Sequence, residues 1–356
     1  MQETENSALG KHVVALAFPY GSHAAPLLSL VNRIATTAPE VKFSFFSTAI
    51  SNRTIFSDPT NQVNINIKPY DVADGLPEGY AATKSPIIEA IGMFLKATPG
   101  NYESVMEVAV AETGRKISCV MSDAFFYFAG KMAEEMGVPW VPLWTAGPRS
   151  LLAHVYTELI QQRLGSTSVC GDQTLDFIPG FSTLRVDDLP EEVITLGNLE
   201  TPFSKMLHNM GLTLPQATAV AINSYEEVDP DAVNELKSKF QKFLNVGPFP
   251  LTSPPQFNAA DEHGCLEWLD RHQAASVAYI SFGSMMTPPP QELAALADAL
   301  DATGFPFLWS FRDHAEKNFS NGFQERTTLK EPAMKAVLPN GNSNENFRTL
   351  IQIVTK

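Results

Sequence analysis

Apolar positions along this chain fall into two alternating patterns. Short unbroken runs of aliphatic and β-branched residues, bounded by turn residues, mark parallel strands covered on both faces; stretches with apolar residues three and four apart mark the helices packed on them. The run from Val13 to Ala17 predicts a first strand, Val41 to Ser47 a second and the alternating Val63 to Ile67 a third. Ile117 to Met121, Val138 to Leu143 and Ala219 to Asn223 continue the series. Between them, helical spacing starts near Pro26, within Asn52 to Ile55, over Pro86 to Ala97, from beyond Asp123 to Gly137, and after Pro148. Strands and helices that alternate in this way predict a doubly wound α/β domain up to about Val246. Gly165 to Pro190 is irregular and reads as an excursion over a cleft rather than core.

In such a sheet, ligands sit outside the carboxyl ends of the strands where the strand order reverses. His23 falls in the tight loop after the first strand, and Asp123 falls after the fourth; in the order 3-2-1-4-5 these two strands are neighbours. A histidine at that place removes a proton from a hydroxyl, and a carboxylate beside it orients the ring and stabilises the imidazolium. Each residue also has a plainer reading: His23 as a solvated or capping loop residue, Asp123 as a helix N-cap.

From Asn245 to Pro255 the chain is rich in proline and reads as a linker. Ser276 to Phe282, Gln291 to Gly304 and Pro306 to Phe311 then make one strand–helix–strand unit that opens a second α/β domain. Gly283-Ser284 after its strand offers backbone donors and a hydroxyl to a phosphate, or is an ordinary turn. There is no Gly-x-Gly-x-x-Gly or Walker pattern to support a nicotinamide or ATP site, and no Gly-x-Ser-x-Gly elbow for a serine nucleophile.

Length and charge narrow the function classes. The 356 residues suffice for two domains, and a net charge of -14 opposes nucleic acid or an anionic membrane as partner. No apolar run approaches the roughly 20 residues of a membrane span, and the polar, acidic start Met1 to Ser7 is unlike a secretory leader. Three cysteines, Cys119, Cys170 and Cys265, lack metal or redox spacing, which points to the cytoplasm. On that view the acceptor patterns Asn52-Arg53-Thr54 and Asn318-Phe319-Ser320 are chance matches to a glycosylation site.

Several segments together resemble the plant family-1 UDP-dependent glycosyltransferases, of the flavonoid and anthocyanidin 3-O-glucosyltransferase type. They are Ala17 to Leu28, Phe43 to Thr48, Asp74 to Tyr80, Trp144 to Pro148, Ile222 to Ser224, Tyr279 to Ser284 and Leu308 to Ser310, and the likeness runs from Lys11 to about Arg326. The resemblance implies a GT-B fold of two Rossmann-like parallel sheets and an inverting, metal-free reaction. It implies UDP-glucose as co-substrate, no cofactor, and the 3-hydroxyl of a flavonol or anthocyanidin as acceptor. On it, His23 is the base and Asp123 its partner, Phe125 and His154 contact the acceptor, and Ser22, Thr145, Ser284 and Ser310 contact the donor.

After Arg326 the family pattern breaks. The boxes Trp-Ala-Pro-Gln and His-Cys-Gly-Trp-Asn-Ser are absent, and no tryptophan follows Trp309, yet Ala336 to Leu350 resembles the family's C-terminus. This pattern is that of an internal deletion joined near Thr327 to Ala333. The expected organisation is an acceptor-binding domain over 1–246, a linker over 247–258, an incomplete donor-binding domain over 259–332 with two clear strands, and a tail helix over 333–356. Phe347, Leu350, Ile351 and Val354 give that tail its amphipathic spacing. Two readings follow: a glucosyltransferase impaired in donor binding, or a non-catalytic relative that holds flavonoids or pairs with a complete enzyme. The sequence leaves the oligomeric state open.

Overall fold

The structure, a computed structural model, describes residues 10–57, 63–80, 87–164, 172–189, 191–194, 201–249, 264–282, 288–311 and 333–337. The chain divides into two compact units, Met1–Thr252 and Ser253–Lys356.

In the first unit, β1 (His12–Leu16), β2 (Lys42–Thr48), β3 (Ile67–Val72), β4 (Cys119–Asp123), β5 (Trp140–Trp144), β6 (Val220–Ile222) and β7 (Phe243–Asn245) form one sheet. Its order is β3-β2-β1-β4-β5-β6-β7, and every neighbouring pair is parallel. Helices α1 (Ala24–Thr37), α2 (Ala49–Phe56), α3 (Ile87–Ala97), α4 (Gly100–Thr113), α5 (Phe128–Met136), α6 (Pro148–Val155), α7 (Thr157–Leu164), α8 (Glu191–Ile194), α9 (Pro202–Thr213) and α10 (Pro230–Lys239) connect and flank the strands. The chain runs outward from β1 to β3 and returns to β4, so the order reverses between β1 and β4.

The unbroken apolar run of β1 reflects that central place: Val14, Ala15 and Leu16 expose no surface. Alternate residues of β2 then divide between the two faces. Phe43 and Phe45 pack with Leu27, Val31 and Ala35 of α1, while the Phe46 ring stacks on Tyr70 of β3 at 5.3 Å. Burying each phenylalanine contributes about 2 kcal/mol relative to leaving it in water.

Several boundaries differ from those expected. The third strand is Ile67–Val72 rather than Val63 to Ile67, because two asparagines hold the preceding segment against α1. Asn64 donates to the Asn32 side chain at 2.6 Å, and Asn66 donates to the carbonyls of Ala38 and Val41. Strand β4 extends through Ser122 and Asp123. The excursion before Pro190 contains core: Leu175, Ile178 and Phe181 are buried, and Thr174 and Arg185 form an antiparallel bridge. Asn52 is buried and its amide donates to the carbonyls of Ser47 and Tyr70 and to Asp71, so this asparagine is a structural clamp in the fold.

Strand β7 lies inside what reads as the approach to a linker. It is short and partly exposed, and backbone bonds from Val220 to the Lys242 carbonyl and from Val246 to the Ile222 carbonyl define it. The expected linker over 247–258 is fastened down at its start. Gly247 donates to the Ser224 carbonyl, and the Phe249 amide donates to Asn223 Oδ1 at 2.9 Å. The Phe249 ring is 4% exposed in the core, with the Arg33 guanidinium 4.9 Å above it. A Cβ at Gly247 would overlap the Asn223 side chain, which is why glycine stands there.

The second unit contains α11 (Cys265–Asp270), β8 (Ala278–Ser281), α12 (Pro290–Thr303), β9 (Phe307–Phe311) and β10 (Ala333–Val337). Its three strands are parallel in the order β10-β9-β8. Leu293 and Ala297 of α12 cover Phe307 and Trp309. Strand β10 corrects two expectations: the sheet continues past 332, and Ala333–Val337 is extended where a tail helix was expected. The edge of β9 explains this, since a row of backbone donors and acceptors there is satisfied by an added parallel strand. The positions Phe347, Leu350, Ile351 and Val354 lie outside the described residues.

Candidate active site

The crevice at the β1/β4 reversal is built by two loops. From β1 the chain turns through Pro19 to Ser22, with Gly21 at φ 62°, a conformation that favours glycine. It then enters α1 directly at His23. His23 occupies the N-cap position without a side-chain capping bond, so its imidazole is free for other contacts. From β4, Asp123 closes a tight turn: its Oδ1 accepts the Phe125 amide at 2.9 Å.

His23 Nδ1 donates to Asp123 Oδ2 at 2.8 Å. The imidazole is 21% exposed and the carboxylate 1%. With Nδ1 engaged by the carboxylate, Nε2 is the ring nitrogen left for another contact. Both oxygens of Asp123 are therefore occupied, one holding a backbone turn and the other the histidine. The local turn role and the histidine-orienting role coexist in one residue.

Aromatic rings surround the pair. Phe125 lies 4.4 Å from the His23 ring and Phe18 5.3 Å from it. Phe125 also meets Trp144 at 6.0 Å and Phe203 at 6.1 Å, and Trp144 meets His154 at 5.7 Å. Thr145 Oγ1 is 3.4 Å from His23 Nδ1. His154 is buried, and burial pushes its pKa down to about 4, so it stands as a neutral imidazole. Tyr20, on the same loop as His23, donates to the Ala90 carbonyl of α3; burial, then Asp74 and Tyr80, push it up to about 12. It too stays neutral.

His23, Asp123, Phe125, Thr145 and, through Trp144, His154 thus come together in one place. Ser22 is exposed in the loop before His23. Ser310 is buried in β9 of the second unit, and Ser284 lies outside the described residues. Sequence reading missed Trp144, whose position as the last residue of β5 was the available signal. It also missed Phe203 and all of α9, although Thr201-Pro202 is a helix-start signature and Phe203, Met206, Leu207 and Met210 have helical spacing. Helix α9 packs closely on α6: a Cβ at Gly211 would overlap the His154 carbonyl.

Among the described residues no group of three or more His, Cys, Asp or Glu side chains could hold a metal ion, and no helix is long and apolar enough to cross a membrane. A doubly wound parallel sheet followed by a second parallel-sheet unit is the architecture of GT-B glycosyltransferases. The chain belongs to the UDP-glucoronosyl and UDP-glucosyl transferase family, whose sequence profile matches residues 14–324; a UDP-sugar is the co-substrate of that family. It is 56% identical over 319 residues to a flavonoid 3-O-glucosyltransferase of Medicago truncatula, a match covering 90% of this chain and 69% of that protein. It is 50% identical to an anthocyanidin 3-O-glucosyltransferase of Vitis vinifera, covering 89% and 69%. The crystal structure of a UDP-glucose:anthocyanidin 3-O-glucosyltransferase in complex with UDP superposes with a TM-score of 0.84 at 38% identity, covering 92% of this chain and 72% of that one.

Proposed function

We propose that this chain is built to transfer glucose from UDP-glucose to the 3-hydroxyl of a flavonol or anthocyanidin, with inversion, in the cytoplasm. The observation that carries the reading is the His23–Asp123 contact of 2.8 Å at the sheet's reversal point, in a chain about half identical to flavonoid and anthocyanidin 3-O-glucosyltransferases. His23 Nε2 takes the proton of the acceptor hydroxyl as that oxygen bonds to C1 of the sugar. The bond from C1 to the phosphate oxygen breaks, and UDP leaves with its electron pair. Asp123 stabilises the imidazolium so formed. A phenolic or enolic hydroxyl is acidic enough for an imidazole base, and the aromatic wall of Phe125, Trp144 and Phe203 suits a flat aromatic acceptor, with His154 packed against Trp144. Ser22, Thr145, Ser284 and Ser310 are assigned to the donor.

Donor capture is the weak step in this reading. The sequence lacks the Trp-Ala-Pro-Gln and His-Cys-Gly-Trp-Asn-Ser boxes, and the matches cover only about 70% of the relatives' lengths while covering about 90% of this chain. The same observation favours a second reading, a non-catalytic flavonoid-binding relative or a partner of a complete enzyme. Calorimetry with UDP-glucose and, separately, with quercetin, followed by a glucoside assay on quercetin or cyanidin, separates them. The expected result is acceptor binding, weak donor binding and slow 3-O-glucoside formation that His23→Ala lowers by about a hundredfold or more. Fast turnover would overturn the impairment, acceptor binding without any turnover would favour the second reading, and turnover that survives His23→Ala would remove the base.

A further inference from the structure

The hydrogen bond to Asp123 holds His23 Nδ1 at 2.8 Å only while the side chain keeps its χ1 and χ2 angles; a turn about either takes Nδ1 off Oδ2 and swings Nε2 to a new direction. Two rings that are not parallel to the imidazole limit that turn. Phe125 meets it at 4.4 Å and 42°, and Phe18 meets it at 5.3 Å and 73°. These two rings touch each other edge-to-face at 5.2 Å, so together they form a corner into which the imidazole fits. Phe125 is partly exposed, whereas Phe18 is 2% exposed.

Phe18 is itself held from several sides. Its ring contacts Tyr20 at 5.5 Å, Phe126 at 5.9 Å and Phe94 at 6.2 Å. The residue before it is fixed by the Tyr102 hydroxyl, which donates to the Ala17 carbonyl at 2.8 Å. Tyr20 in turn ties the loop to α3 through the Ala90 carbonyl. A wall that cannot move is what a reacting group needs, because misorientation of a catalytic atom is costly even when every contact remains.

We propose that Phe18 is a positioning residue for the transfer reaction: through its edge-to-face contact with the imidazole it fixes the direction of His23 Nε2 without touching substrate. This rests on His23 being the base. The test is read on the free protein, independently of turnover. With histidine labelled with nitrogen-15, the exchange with water of the His23 Nδ1–H is compared in the full chain, in Phe18→Leu and in Phe94→Leu. Phe94 is as buried as Phe18 and touches its ring, but its other ring contacts are with Tyr20, Tyr102 and Phe126. The expected result is exchange about tenfold faster in Phe18→Leu and unchanged in Phe94→Leu. Equal acceleration in both variants would mean a loosened core rather than a positioned ring and would overturn the proposal, as would wild-type exchange in Phe18→Leu. If Phe18→Leu does not fold, Phe18→Met, which keeps most of the volume, is read against the same two outcomes. Loss or retention of activity in His23→Ala tests the base itself, so the two readings fail separately.

Discussion

Strands β1 and β8 begin from similar apolar runs and follow the same strand–helix–strand grammar, yet they end in different surroundings. β1 lies between β2 and β4 and its inner residues expose no surface. Among the described residues β8 pairs with β9 alone, and its burial runs from exposed at Ala278 and Ser281 to partial at Tyr279 and Ile280. A sequence run states what a strand can bury; its neighbours decide what it does bury. Among its described residues the first unit has seven strands and a large apolar cluster packed on them, the means to hold the His23–Asp123 pair rigidly. The described residues of the second form three strands and two small apolar clusters.

The most demanding test of this contrast is hydrogen exchange along the chain. Amides of β8 and β9 are expected to exchange about a hundredfold or more faster than those of β1 and β4, measured by mass spectrometry on peptic fragments. Equal protection in both sheets would break the comparison.

Acid should then act on the first unit through its buried histidines. His154 titrates at about 4 when folded against an ordinary 6.5, so the unfolded chain takes up its proton first. Stability is complete above pH 6.5 and falls as the pH drops from 6.5 towards 4. That gap corresponds to about 3 kcal/mol. His12, buried and bonded through Nε2 to Ser44, has its pKa lowered by burial as well and acts in the same sense. Urea midpoints at pH 7 and pH 4.5 should differ for the first unit, and by much less in His154→Gln.

The smallest effect expected is local. Gly211→Ala places a methyl group on the His154 carbonyl and forces α9 from α6, at a cost of about 2 kcal/mol. It should lower the melting temperature of the first unit and leave the exchange pattern of β8 and β9 alone. A variant of wild-type stability would show that the two helices part without cost.

Much of the first unit was legible because its strands are central and therefore uniformly apolar. The pairing of His23 with Asp123 followed from strand order alone, since one lies in the loop after β1 and the other at the end of the neighbouring β4. What was not legible depended on contacts distant in sequence. Strand β3 started late because Asn64 and Asn66 are tied to residues of α1 and the turn after it, and β7 carries no apolar alternation because it is a short edge. Strand β10 was invisible for a related reason: Ala333–Val337 has little strand character of its own and takes its form from the β9 ladder. In the site, Phe125 was named through the family resemblance, while Phe203 comes from a helix 78 positions further along the chain that only tertiary packing brings across.

Phe249 sets a rule for anyone cutting or recombining this chain. A crossover placed at Val246, where the sheet ends, would discard a ring that belongs to the first unit's interior and leave the Asn223 carboxamide and the Arg33 guanidinium facing a foreign sequence. A junction placed after Phe249 carries the plug with its own core. Chimeras that graft another second unit onto this first unit should therefore be joined at Pro250 or beyond, with the three residues Gly247, Pro248 and Phe249 treated as the last stitches of the first unit.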